Sequence, residues 1–172
     1  MRRALVALLI AVPLAAQSRI TPKTPPSDAG TAASASKGAP ATFAAKCTTC
    51  VDNIEGKVVV NADGVDFCCT AFEHEGSRVT AKCPYSFHLS LADVRQQYLE
   101  TPDDGPRVWH VVNAENEHFA FSSRESSAVD GVYEWVKKQP AKILSSPLLA
   151  KHQDDLAKMT HAPKIERATP CK

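Results

Sequence analysis

His110 and His118, Arg107, and the pair Cys47-Thr48-Thr49-Cys50 are the residues of this chain whose types and spacing can do chemistry. The two histidines flank one turn, between Arg107-Val108-Trp109-His110-Val111-Val112-Asn113 and His118-Phe119-Ala120-Phe121-Ser122, so antiparallel pairing of these runs brings their rings close. Two imidazoles within hydrogen-bond reach of an acid such as Glu117 make an acid–base unit. The plainer alternative is a pair of surface histidines in a hairpin. His74, His88, His152 and His161 do not add the spacing of a helical metal pair, and neither a metal nor a cofactor is expected. Cys47 and Cys50 have the spacing of a redox dithiol, or of half a zinc site completed by Cys68, Cys69 or Cys83. Redox chemistry needs a strand before the motif and a helix after it. Here low-complexity sequence leads in and a strand follows, so the pair is read as structural.

The elements that position these groups are legible as turns and periodicities. Lys57-Val58-Val59-Val60-Asn61-Ala62 is rich in β-branched residues, and Asp63-Gly64 behind it is a hairpin signal that returns the chain through Val65 to Glu73. Glu75-Gly76 turns it again into Ser77 to Cys83. Ser90 with Asp93 reads as a capping box, followed by Leu91, Val94, Tyr98 and Leu99 on one helical face until Pro102; a strand over Phe87 to Leu91 is the alternative. The histidine-bearing runs form a second hairpin. Ser127 with Asp130 caps a helix whose Val129, Val132, Tyr133 and Val136 recur at helical spacing, and Ser146-Pro147 opens another with Leu148, Leu149, His152, Leu156 and Met159 on its apolar side. Strands preceding helices indicate an α+β fold: an antiparallel sheet of about five strands with two or three helices packed on it, stabilised by disulfides.

Met1 to Ser18 has the form of a secretory signal peptide: Arg2-Arg3, an apolar run too short to span a bilayer, and a small-residue exit. Its removal turns the formal net charge of +1 into −1. A near-neutral chain without a Lys/Arg run excludes a strong field for polyanions, so neither nucleic acid nor membrane is expected as a partner. Residues 19–45 are rich in Ala, Ser, Thr and Pro, and read as a disordered leader; residues 46–172 read as one domain. Cys47, Cys50, Cys68, Cys69, Cys83 and Cys171 are an even set in an oxidising compartment and read as three disulfides. Adjacent Cys68 and Cys69 should take different partners. Cys171 is expected to tie the tail to Cys47 or Cys50, the longest closure available. Trp109 and Trp135 are either core residues or anchors of a binding face.

This combination of signal peptide, polar leader, small body and six cysteines resembles the secreted cysteine-rich proteins of fungi, many of them effectors. The resemblance is architectural and implies a non-enzymatic extracellular binder that engages a host protein during infection, in places beyond the host membrane as well as outside it. A protease inhibitor presenting a disulfide-braced loop such as Asp103 to Pro106 is one form of this. A second resemblance covers Pro84 to Ser123. Pro84-Tyr85 before an apolar strand, Gly105-Pro106, Arg107-Val108, Asn113-Ala114-Glu115-Asn116 and Phe119-Ala120 follow the order of elements in the N1/T1 class of microbial ribonucleases. It implies a phosphate-stabilising role for Arg107. The family's general base falls at Phe87 or His88 and its general acid at Ser122 or Ser123, so the expected proton-transfer groups are missing or replaced. The alternative function is therefore a ribonuclease-type hydrolase using Arg107 with His88, His110 or His118, or an inactive relative of one.

Overall fold

The computed structural model describes residues 42–50, 53–80, 83 and 85–165, which belong to one folded unit. The segment read as a signal peptide, most of the stretch read as a leader and Cys171 lie outside the described residues. β1 (Thr42–Cys47), β2 (Ile54–Val60), β3 (Gly64–His74), β4 (Ser77–Val79), β5 (Phe87–Ser90), β6 (Val94–Glu100), β7 (Arg107–Asn113) and β8 (His118–Ser123) precede α1 (Ser126–Lys137), β9 (Leu144–Pro147) and α2 (Ala150–Met159). Eight strands lie in the order β4-β3-β2-β1-β8-β7-β6-β9, with β5 paired to the first residues of β3. Every pairing among them is antiparallel except that of β6 with β9. The fold is α+β with two helices, but the sheet has nine strands rather than about five.

The additional strands have identifiable causes. β1 starts inside the stretch expected to be leader, because Phe43, Ala45 and Cys47 alternate with exposed or half-buried neighbours and turn one small-residue face into the core. The helix expected over residues 91–99 is instead a turn followed by β6. The pairing of β6 with β7 slips between Val94 and Gln96, and a bulge of this kind scrambles the two-residue alternation that marks a strand. Gln97, fully buried, hides the pattern further: it accepts from Trp109 Nε1–H at 2.8 Å and donates to the Tyr133 carbonyl at 3.0 Å and Ser145 Oγ at 2.8 Å. Ser146-Pro147 ends β9 and does not open a helix. α1 does lie where its apolar spacing places it and buries Val129, Val132, Tyr133 and Val136, but Glu125 and not Ser127 occupies the N-cap.

The first hairpin turns one residue earlier than Asp63-Gly64 suggests, since Asn61 N–H donates to the Gly64 carbonyl and Asn61 Oδ1 accepts from the Asp63 and Gly64 amides. At the second, Glu75 and Gly76 have φ of 49° and 75°, the pair of left-handed residues that a tight hairpin turn requires. The core lies between the inner face of the sheet and α1, centred on Phe43, Ile54, Phe67, Trp109, Phe121 and Val132. On the outer face a smaller cluster joins Val112, Leu148 and Leu156, with Tyr98 against them. Among the described residues no helix is long and apolar enough to cross a membrane.

Cys47 pairs with Cys50 and Cys69 with Cys83. Neither Cys47 nor Cys50 is thus available to Cys171, and the long closure expected from chain entropy gives way to a local one. Cys68 is also disulfide-bonded, so it and Cys69 have different partners. Cys69 and Cys83 are 14 positions apart. Replacing both with serine is expected to lower the unfolding free energy by about 3 kcal/mol in the chain-entropy model, measured by urea titration against the Cys47→Ser/Cys50→Ser protein, whose much shorter loop should cost less.

Candidate functional site

His110 stands opposite Ala120, and His118 opposite Val112, in the pairing of β7 with β8. The two histidines are therefore diagonal neighbours on the outer face of the sheet, the face opposite Trp109. On β6, Tyr98 stands opposite His110 and Glu100 opposite Val108, which makes Glu100 the next diagonal neighbour. The result is a chain of hydrogen bonds across three strands. Glu100 Oε2 lies 2.9 Å from His110 Nε2, and His110 Nδ1 lies 2.9 Å from His118 Nε2. The rings stack with centroids 5.1 Å apart. Gln153 of α2 donates from Nε2 to Glu100 Oε1 at 2.9 Å.

The protonation pattern follows from the partners. A carboxylate accepts only, so neutral His110 carries its hydrogen on Nε2 and accepts at Nδ1 from His118 Nε2–H. His118 is left with a lone pair on Nδ1, for which no hydrogen-bond partner is present among the described residues. Burial pushes the His118 imidazole down to about 4, and the neighbouring His110 adds to the shift. Burial also lowers His110, against the opposing pull of Glu100. Both rings are neutral at pH 7, and the chain can pass a proton taken up at His118 towards Glu100.

His118 lines a cavity of about 280 Å³ with Thr49, Ala157, Thr160, His161 and Ala162. Thr49 belongs to the Cys47–Cys50 loop, and its Oγ1 accepts from the Ala120 amide at 3.0 Å while the Thr48 amide donates to the Ala120 carbonyl at 2.9 Å. The disulfide closes this loop at the end of β1, and β2 begins four residues after Cys50. Its place is that of a brace pinning Thr49 beside the histidines, not that of a helix-activated thiol.

The other candidates lie elsewhere. Arg107 is three residues from His110 on a strand without register shift, and so faces the opposite side of the sheet. Its Nε lies 3.2 Å from Asp130 Oδ1 on α1, off the hydrogen-bonding direction, so the contact is an ion pair only. His88 is matched across strands with Asp66, Nδ1 to Oδ1 at 2.7 Å, and Asn61 holds the other carboxylate oxygen. Arg107 therefore does not share a face with His110 or His118, the histidines with which a ribonuclease-type site was expected to pair it. Glu117 is not the acid of the histidine pair either: its carboxylate accepts from Asn113 Nδ2 at 2.7 Å and from the Lys164 amide at 2.8 Å. Trp109 is wholly buried and presents no surface to a partner, while Trp135 is half-buried against the core. Asp103 to Pro106 is an exposed turn between β6 and β7 that no disulfide among the described residues braces. Among these residues no group of three or more His, Cys, Asp or Glu is placed to hold a metal ion.

Glu100 and Gln153 were not legible as site residues, because Glu100 falls just beyond an apparent helix and Gln153 is polar on an otherwise polar helix. A correct register for β6 against β7 would have exposed the first. No protein-family model matches the chain, and no curated protein matches it in sequence. Among solved structures, the Spt16D Pob3N heterodimer is similar with a TM-score of 0.45 and 8% identity over 66% of this chain, which spans 57% of the length of that one.

Proposed function

We propose that this chain is a secreted, non-enzymatic binding protein that engages a host protein through the face formed by β9 and α2. The observation that carries the reading is the placement of large exposed apolar side chains. Among the described residues these are Leu144, Leu149 and Met159, all within one segment of 16 positions (144–159). Beside them is a cavity of about 250 Å³ that Tyr98, Pro147, Leu148, Leu156 and Met159 help to line. Met159 lines this cavity, and an exposed apolar side chain beside a concavity is the kind of anchor in which binding energy concentrates. The resemblance to secreted cysteine-rich proteins supports a protein partner, and the near-neutral charge supports one that is not a polyanion.

The test is capture from host extract by the oxidised protein beside a Leu149→Asp/Met159→Asp variant of equal helix and strand content. One host protein enriched by the native chain and lost by roughly tenfold or more in the variant is expected, the scale on which apolar anchors act. Equal enrichment by both sinks this face. An extracellular hydrolase is the second reading, favoured by the unpartnered His118 nitrogen at the edge of a cavity. It requires turnover of RNA or an ester that disappears in His118→Gln; if Arg107→Ala abolishes RNA cleavage instead, the phosphate role of that arginine stands and the binder reading fails.

A further inference from the structure

The cover over the outer face of β6, β7 and β8 is lightly held. Of the ten residues of α2 only Leu156 is buried, against four in α1. A helix this short with so little apolar burial does not persist in water by itself. One polar tie of the helix runs directly into the histidine chain, whereas residues 160–165 have holds of their own: Pro163 is buried, Ile165 packs against the core and the Lys164 amide donates to Glu117. Gln153 bonds the carboxylate that holds His110. Beyond the helix, the backbone amide of His118 donates to the His161 carbonyl at 2.9 Å, and that of His161 to the Asn116 carbonyl at 3.0 Å.

We propose that Glu100, His110 and His118 form an acid-operated latch, which fixes α2 on the sheet at neutral pH and releases it when the histidine pair takes up protons. A nitrogen-to-nitrogen hydrogen bond needs one donor and one acceptor, and the neutral pair supplies one of each. A proton on His118 Nδ1 places a cation on a half-buried ring beside neutral His110. A further proton on His110 Nδ1 sets two N–H groups face to face across 2.9 Å. Solvation relieves both, and moving α2, whose Ala157 lines the His118 cavity, opens the rings further to water.

The surrounding groups do little to offset this. Among the described residues Glu100 is the one acid hydrogen-bonded to the pair, and Tyr98 stands on the same face. Lys46 of β1 shares that face through its pairing with Ser122. From the α2 side, His152 and Asp155 line the cavity beside Tyr98, and the Asp155 carboxylate lies 3.8 Å from Lys158. The His161 ring sits between the Ala162 and Glu115 carbonyls at 3.1 and 3.0 Å. The other facing bases, Lys46, His152 and His161, thus add no negative charge. Leu149 and Met159 lie at the two ends of α2, so release dismantles the face assigned to binding; that consequence rests on the binding reading, whereas the latch does not.

Amide hydrogen exchange on the full oxidised chain, expressed as protection relative to intrinsic rates at each pH, tests the latch without a partner. Protection of residues 150–159 is expected to fall roughly tenfold or more from pH 7 to pH 5 while that of α1 holds, as local opening predicts. In His118→Gln, whose amide replaces the Nε2–H donor without titrating, the fall should vanish. In Glu100→Gln, which removes the carboxylate that favours a protonated His110 in the closed state, the fall should be steeper over the same interval. Unchanged α2 protection between the two pH values overturns the latch, as does an equal fall in His118→Gln. A latch that opens in a protein that captures nothing leaves the latch standing and removes only the binding reading.

Discussion

Replacing Trp109 with alanine is expected to lower the unfolding free energy by about 3 to 5 kcal/mol, the range for emptying a large aromatic site in a packed core. Trp109 is wholly buried and its ring packs against Phe121 with centroids 5.6 Å apart. Its Nε1–H is the donor for Gln97 Oε1, and Gln97 is itself fully buried. Trp109→Phe separates the two contributions: it keeps most of the ring and leaves the Gln97 oxygen without that donor, at a cost of roughly 1 to 3 kcal/mol. Urea unfolding followed by circular dichroism reads both values. Were Trp109 an anchor for a partner, alanine would leave stability unchanged and weaken capture; the burial predicts the reverse order, with capture lost only as the fold is lost.

Acid should destabilise the protein before its carboxylates titrate, and His118 sets the window. Its folded value of about 4 lies below the ordinary 6.5 of an exposed histidine, because burial disfavours the charged ring. The unfolded chain therefore binds the proton first as pH falls. The stability this group lends is complete above about pH 6.5, declines as pH drops towards 4, and changes no further below that. The loss from this site is about 2 kcal/mol by pH 5 and on the order of 3 kcal/mol by pH 4, at 1.36 kcal/mol per pH unit. His110 is shifted in the same direction by the same cause and steepens the decline. Urea midpoints between pH 7 and pH 5 measure the slope, and His118→Gln should flatten it. A native protein whose stability is level over that interval would show that the pair is protonated as readily in the fold as in the unfolded chain.

Where the sequence misleads about the site, the fault lies in β6. The histidine pair was foreseeable as a cross-strand contact because a hairpin with a short turn leaves few registers, and alternate residues share a face. The acid beside it was not, because nearness in sequence pointed to Glu117 while Glu100 reaches the pair through strand pairing alone. Residues 91–99 carried a helical spacing of apolar side chains and a capping pair. The bulge near Val94 and the buried Gln97 concealed the strand that delivers Glu100.

Local physical chemistry in the sequence alone determined the β2–β3, β3–β4 and β7–β8 hairpins, the α1 stripe of Val129, Val132, Tyr133 and Val136, and the separation of Cys68 from Cys69. Each depends on neighbours within a few positions, where turn chemistry and periodicity act directly. Tertiary structure alone decided which acid holds His110, that Arg107 faces Asp130 across the sheet from the histidines, that Cys47 closes on Cys50, and that Trp109 is core. Apart from the local Cys47–Cys50 closure, those outcomes turn on which strands lie side by side and which face each buries, and a long-range pairing leaves no local periodicity from which to read it.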